Sequence, residues 1–450
     1  MKRSSAIRVS PLGSHHLVGF NDLDPWSCSG DQLLCLQVEE IARIPTANSK
    51  ASVGYIELKT GHFVKCGTTS GWNFPQGGRQ QWATGSDKNA FLFNCEIDGE
   101  WHSKLVDMQG SELRTFQKPI YCQSRDGRLG YGLNYARLYR LGGYGYPGIQ
   151  DSTKLAAAPD NDGIWETNLS NGNTKLLVSI AETTALIGTM EVDFNAHHYI
   201  THLTPSPDGN KLAYLHRYWL PDGGIRTRLV VRDMNTEISS VWDEGFLSHY
   251  DWVDDESILI WGKPQSNLQA IRSSKVLSSN PWIARLVQIA KPLARTLLGS
   301  RRINSGYFKK VSKAAPQSGD LFSDLLPRDD GHPTFCPSNR QLLLTDTYPD
   351  KNFERQLIVV DILSKSVLEI GRFTQLKESP SSEGFDEIVP FIDPAVMKKF
   401  NRENFVYSRG GIHCDLHPRW KTDGSMVCFD SNHEGTRQIY VANLSDSISK

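Results

Sequence analysis

One short pattern recurs about seven times along this chain and limits its fold more than any other feature: an aromatic or apolar residue, a polar turn, then an apolar run. The fullest copy is Trp420-Lys421-Thr422-Asp423-Gly424 before Met426-Val427-Cys428-Phe429. Degenerate copies begin at Asp24, Gln81, Tyr121, Leu203, Tyr250 and Pro333, each leading into a run such as Leu33-Leu34-Cys35-Leu36 or Ile258-Leu259-Ile260-Trp261. The form is strand, tight turn, strand. A second alternating segment with its own turn follows most copies, as in Leu229-Val230-Val231-Arg232-Asp233 and Leu357-Ile358-Val359-Val360-Asp361. Units of roughly 40 residues with four strands each read as propeller blades. The spacing therefore predicts an all-β fold, a single seven-bladed β-propeller over residues 1–450. A pair of β-sandwiches is the competing reading, and the coupling of each hairpin to a later alternating segment favours the propeller.

Composition narrows the class. Lys+Arg 49 against Asp+Glu 50 is close to neutral, so no nucleic-acid partner is expected. The start, Met1-Lys2-Arg3-Ser4-Ser5, is basic but has no apolar run of the length an export signal needs, and no other run is long enough to span a bilayer, so a cytoplasmic location is expected. Eight cysteines, mostly inside apolar runs, read as reduced core thiols.

One stretch breaks the repeat. No acidic residue occurs from Ser257 to Gly319, and Trp282, Leu286, Ile289, Leu293 and Leu297 recur there at helical spacing with basic residues between them. This predicts a basic amphipathic helical insertion at 279–315, kinked near Pro292. Its bland role is packing on the propeller edge; its sharper one is a peripheral membrane or protein contact through 280–313.

Histidines concentrate just ahead of the recurring pattern, where the innermost strands of a propeller converge on a central funnel. Gln76 and Arg79 precede the second unit, His198 and His202 the fourth, His249 and Tyr250 the fifth, His332 the sixth, and His413, Asp415 and His417 the last. Substrate contact is expected of Gln76, His202 and His249. Imidazole plus carboxylate from neighbouring units, His332, His413, Asp415 and His417, suits Zn, Mn or another borderline divalent ion. Cys414 would replace a ligand if a bulge turned it inward. His197, His198, His202, His216, Arg217, His249 and Tyr250 form a second group suited to proton abstraction beside a carboxylate. No Gly-x-Ser-x-Gly elbow and no phosphate-binding glycine fingerprint is present.

These segments, Trp72 through Trp82, His198-Tyr199-Ile200-Thr201-His202, Leu215-His216-Arg217, Ser248-His249-Tyr250-Asp251-Trp252, Gly331-His332-Pro333 and Cys414 through Trp420, resemble the propeller-type polysaccharide lyases, the group with oligogalacturonate lyase and ulvan lyases. The resemblance implies β-elimination on uronic-acid-containing oligo- or polysaccharides. It implies His198 and His216 as paired acid/base or neutraliser, Tyr250 as base or acid, Arg79 or Arg217 as carboxylate partner, and a metal pocket of His332, His417 and either His413 or Asp415. His197 stands where Asn is more usual in that group, and the basic insertion has no counterpart in its pattern. The alternative is a non-catalytic propeller that binds anionic polysaccharide in a surface-polysaccharide pathway.

Overall fold

In the computed structural model, which describes residues 6–85, 88–220, 224–263, 306–315, 325–327 and 329–445, the recurring segments form the inner edges of seven antiparallel sheets. The chain is a seven-bladed β-propeller. Blade 1 runs outward through His15–Leu17, Gln32–Val38, Ala51–Glu57 and His62–Thr69. Blades 2, 3 and 4 start at Gln81–Trp82, Cys122–Gln123 and His198–Pro205 and end at Glu112–Phe116, Thr174–Ser179 and Ser239–Gly245. Blade 5 has three described strands, Leu247–Asp254, Ser257–Gly262 and Tyr307–Ser312. Blade 6 runs from Thr334–Phe335 to Ser366–Thr374. Blade 7 joins the two ends of the chain: Arg419–Trp420, Met426–Ser431 and Gln438–Asn443 are followed by Ile7–Arg8, with Ile7 opposite Val441.

Tyr307–Ser312 pairs along its whole length with Ser257–Gly262. The stretch 279–315 that the sequence assigns to an insertion thus ends in a blade strand, with Phe308 and Val311 buried on its two opposite faces. The helical reading of 280–302 lies outside the described residues. No helix among the described residues is long and apolar enough to cross a membrane.

The aromatic residue of the repeat has a physical role. Trp82 Nε1 donates to Pro25 O at 2.8 Å, Trp252 Nε1 to Thr204 O at 3.0 Å and Trp420 Nε1 to Thr334 O at 3.0 Å. Each bond joins an inner strand to the inner edge of the preceding blade, so a buried indole fills the gap between blades and satisfies its one donor there. The Asp-Gly turns follow from backbone geometry, since Gly127, Gly209 and Gly424 adopt φ of 69°, 76° and 76°.

Two non-repeating segments define the central channel. Residues 18–23 leave blade 1 and cross the axis, held to blade 7 by Val18 N donating to both oxygens of Asp430 at 3.2 Å and by Arg419 donating to the carbonyls of Gly19 and Phe20. Blade 6 is reached by Asn21 Nδ2 to Pro333 O at 3.1 Å, and blade 2 by Asp22 to Arg79. This crossing plugs the channel with Phe20.

Residues 376–411, between blades 6 and 7, cover the wide end. Two of their helices begin at side-chain caps: Asp393 Oδ1 accepts from Ala395 N ahead of Pro394–Met397, and Asn401 Oδ1 accepts from Asn404 N ahead of Arg402–Arg409. The apolar faces bury Phe385, Ile388, Val396 and Phe405 against Ile44 of blade 1 and Tyr139 of blade 3. Arg140 binds Asp393 at 2.8 Å, and Lys399 reaches Leu220 O beyond blade 4 at 3.1 Å. The cap therefore bridges the loops of three blades.

Asp430 is fully buried and faces Arg419 at 3.3 Å and Arg437 at 3.6 Å. Replacing it with Ala strands two buried guanidiniums and frees the plug, so Asp430→Ala is expected to cost about 3–5 kcal/mol. Equilibrium urea unfolding measures this; an unshifted midpoint would mean the plug is held by other contacts.

Candidate active site

Backbone strain selects which histidines enter the channel. Arg79, His202 and His417 are non-glycine residues at φ of 54°, 57° and 42°, each beside or within an inner strand. Left-handed backbone at such residues costs on the order of 1 kcal/mol or more and persists only where the surroundings enforce it. In blade 4 the strain coincides with a register shift between Thr201 and Thr204. Without that bulge His202 would share the sheet face of His198 and Ile200, because strand side chains alternate.

The result is a ring of imidazoles around Phe20. His202 and His417 lie 4.9 Å from the Phe20 ring, His249 5.8 Å and His332 5.9 Å, centroid to centroid. His332 is 4.2 Å from His249 and 4.3 Å from His417. Burial, then the positive charge of Arg217, pushes His202 well below the usual imidazole range; burial, then His332, does the same to His417. His332 moves the other way: burial opposes its charge, and the adjoining Asp346 together with Asp415 and Asp330 raises its pKa.

Ligand atoms of His332, Asp415 and His417 all lie within 4.8 Å of one another. Asp346 Oδ1 sits 2.8 Å from His332 Nδ1 and also accepts from His332 N at 2.8 Å, while Oδ2 accepts from Leu416 N at 3.1 Å and His417 N at 3.2 Å. A carboxylate on one ring nitrogen fixes the tautomer and leaves Nε2 as the outward donor, the arrangement that orients metal-ligating histidines. His417 Nδ1 is buried without a protein partner. Asp415 is bound by Arg355 at 2.9 Å and lies 3.2 Å from His413 Nε2. Burial alone would raise its pKa, but His413 and Arg355 hold it well below the carboxylate range, so it is anionic. Two imidazoles and a carboxylate fit a borderline divalent ion.

A second pair stands beside this trio. His249 Nδ1 lies 3.1 Å from Asp330 Oδ1, and both are buried. Arg217 reaches Leu247 O at 3.3 Å, two residues before His249 in the same strand.

Several sequence expectations need correction. His198 and His216 do not reach the channel. They bond each other at 2.9 Å, stack at 5.0 Å and lie on the blade 4 face that joins Ile200 and Tyr214 to the blade 3 core. Strand alternation decides this. Tyr250 is buried and its hydroxyl donates to His202 O, and burial pushes the phenol well above its usual range, so it is no base near neutrality. Arg79 is consumed within the fold: it binds Asp22 at 2.7 and 3.2 Å, donates to Tyr121 O and stacks 3.7 Å from the Tyr121 ring. His413 stands outside the trio and props Asp415 instead. Cys414 is buried away from it, with burial pushing its thiol up to about 11. Gln76 is fully buried and neither atom of its amide has a partner.

Phe20, Asp330, Asp346 and Arg355 were not foreseen. Only Asp346 carried a signal, as an acid closing the apolar run Leu342-Leu343-Leu344-Thr345.

No family model matches the chain, and no curated protein sequence matches it. Solved structures do. Oligogalacturonate lyase from Vibrio parahaemolyticus aligns over 99% of this chain and 94% of its own at 13% identity, TM-score 0.56. The likeness is one of fold. An oligogalacturonate lyase in complex with manganese aligns over 99% of this chain and 95% of its own at 11% identity, TM-score 0.38. TolB from Acinetobacter baumannii aligns over 80% of this chain and 55% of its own at 13% identity, TM-score 0.36. The propeller architecture predicted from the repeats is thus shared with the lyases that the sequence resembles.

Two measurements check the site. Mn or Zn titration by calorimetry is expected to give one tight site, weakened at least about 10-fold by His332→Ala or His417→Ala and far less by His198→Gln; equal loss in all three would count against the trio. Burial, offset in part by the Asp193 carbonyl, lowers the His198 pKa to about 4. Above the unfolded value both states are neutral; as pH falls from about 6.5 to 4 only the unfolded chain gains the proton, costing up to about 3 kcal/mol. His198→Gln should therefore flatten the fall in melting temperature over that window. A slope unchanged in the variant would show that His198 titrates normally.

Proposed function

We propose that this propeller is a carbon-oxygen lyase that cleaves uronic-acid-containing oligosaccharides by β-elimination in its central funnel. The observation that carries the reading is the juxtaposition of the Asp346-oriented trio His332, Asp415 and His417 with the Asp330-paired imidazole of His249. Proton abstraction next to a carboxylate needs a base and a means of neutralising the acid so that enolate-like charge becomes accessible. His332, Asp415 and His417 would hold a divalent ion such as Mn or Zn, which supplies Lewis-acid neutralisation of the substrate carboxylate.

The residues of the chain divide the remaining work. Asp330 holds His249 Nδ1 and leaves Nε2 to accept the proton at C5. As that C–H bond breaks, its electrons form the new double bond and the bond from C4 to the glycosidic oxygen breaks. The imidazolium of His249 returns its proton to the departing oxygen. Arg217 adds a fixed positive charge at the same wall, and burial, then that charge, lowers the pKa of His202. Phe20 closes the floor, which removes water from beneath the ring.

Metal-supplied protein is expected to convert uronic-acid oligosaccharides to products with the ultraviolet absorbance of an unsaturated uronate. His249→Ala should lower kcat by about 10²–10⁴-fold, the usual worth of a positioned general base, and His216→Gln by less than about 3-fold. Saturated products would indicate hydrolysis instead. Tight binding without turnover across a panel of uronates would favour a binding propeller.

A further inference from the structure

One carboxylate of the trio is tied to the cap. Both oxygens of Asp415 are held by protein groups: Oδ1 accepts from Arg355 Nη2 at 2.9 Å, and Oδ2 lies 3.2 Å from His413 Nε2. Arg355 is buried on Glu354–Asp361, the third strand of blade 6, and its ion pair is with Asp415. Its other terminal nitrogen, Nη1, donates to Oε1 of Gln375, a buried residue that follows the last strand of that blade and leads into the cap. The same oxygen is 3.5 Å from Cys414 N. Gln375 Nε2 then donates to the Tyr407 hydroxyl at 2.9 Å. Hydrogen bonds thus run without a gap from the cap helix Arg402–Arg409 to the trio.

Tyr407 also reaches the second oxygen. Its ring lies 5.0 Å from the ring of His413, centroid to centroid, and His413 stands against Oδ2. The backbone of this segment is held separately, by Arg437 donating to Gly411 O at 3.3 Å and His413 O at 3.2 Å, and by Asn432 Nδ2 donating to Ile412 O at 2.8 Å. Both of those residues belong to blade 7. What the cap governs is therefore the direction of the Asp415 side chain. The helix is seated by Phe405 and Val406, buried among the apolar residues of the cap, so the Tyr407 hydroxyl keeps its place while the cap is packed down.

We propose that Tyr407, acting through Gln375 and Arg355, is a positioning residue for the divalent ion: the seated cap aims Asp415 at the ion, and the bound ion holds the cap down. The inference rests on the reading of His332, Asp415 and His417 as an ion site and adds control of that site from the cap. A carboxylate with a partner on each oxygen has its remaining lone pairs directed. Linkage makes the coupling reciprocal, because the factor by which the seated cap raises ion affinity is the factor by which the ion favours the seated cap.

The test reads the ion and the cap separately. Mn or Zn is titrated by calorimetry into chelator-stripped wild type, Tyr407→Phe, Gln375→Leu, the double variant and, as a control at the exposed start of the same helix, Arg402→Gln. Tyr407→Phe keeps the ring and is expected to raise Kd about 3–10-fold, and Gln375→Leu about 10-fold or more, as for partners that orient a ligand. The double variant should lose no more than Gln375→Leu alone, since the hydroxyl acts through that amide. Arg402→Gln should change Kd less than about 2-fold, because its ion pair is exposed. Hydrogen exchange is then followed with and without ion. In wild type the ion should slow exchange in 402–409 at least about 3-fold more than in Thr174–Ser179 of blade 3, and Tyr407→Phe should lose most of that difference. The wild-type exchange comparison stands even if Gln375→Leu fails to fold. Ion binding with an unchanged Kd in Tyr407→Phe, additive losses in the double variant, or equal slowing in both segments overturns the coupling and leaves the trio. No ion binding by wild type overturns the trio and the coupling with it. Coupling with no unsaturated product from any uronate sinks the lyase reading alone and keeps the coupling.

Discussion

The carboxylate of Asp346 holds the active end of this propeller together. It is fully buried at the end of the second strand of blade 6, and it accepts from three backbone N–H groups, those of His332, Leu416 and His417, while fixing the His332 ring. A buried anion is tolerated only where donors replace its hydration. Here those donors come from two blades. The same interaction that pays its desolvation ties the segment before blade 6 to the segment before blade 7, and it places His332 and His417 side by side. Asp430, in the neighbouring blade 7, does the same for the plug that carries Phe20. Structure and site share their anchors.

How much of this was legible in the sequence depends on what each residue obeys. Blade number and inner strands were legible because Trp82, Trp252 and Trp420 repeat for one local reason, an indole that must fill a gap and donate to a neighbouring strand. The convergence of histidines was legible at the same level: His202, His249, His332 and His417 do meet. Which others would join them was not. His198 opens its inner strand, close to where His332 stands before its own, yet ordinary alternation sends it into the wall of blade 4, whereas a bulge frees His202. That bulge is a property of the assembled channel, where the plug, the neighbouring inner strands and the cap compete for the same space. Strain of this kind leaves no local imprint in the amino-acid pattern.

Charge pairing separates the arginines in a way composition could not. The near balance of acids and bases says nothing about which buried guanidinium is satisfied internally. Arg79, an attractive carboxylate partner from its place ahead of blade 2, spends its donors on Asp22 and Tyr121, whereas Arg217 and Arg409, both half-buried, donate to the carbonyls of Leu247 and Gly142 and have no carboxylate partner among the described residues.

The two non-repeating segments then have one physical logic. A seven-bladed ring leaves an axial hole lined by backbone at the starts of the inner strands, and open polar backbone there would be hydrated. Residues 18–23 fill one side with Phe20, Asn21 donates to the Pro333 carbonyl and Asp22 accepts from Arg79, so the imidazoles above rest on an apolar floor. Residues 376–411 cover the other side with a helical layer whose apolar faces bury Phe385, Ile388, Val396 and Phe405. Between floor and cap, burial depresses His202 and His417, while the carboxylates of Asp346, Asp415 and Asp330 together carry His332 the other way, so one chamber holds imidazoles of opposite tendency set by which of them stands against an acid.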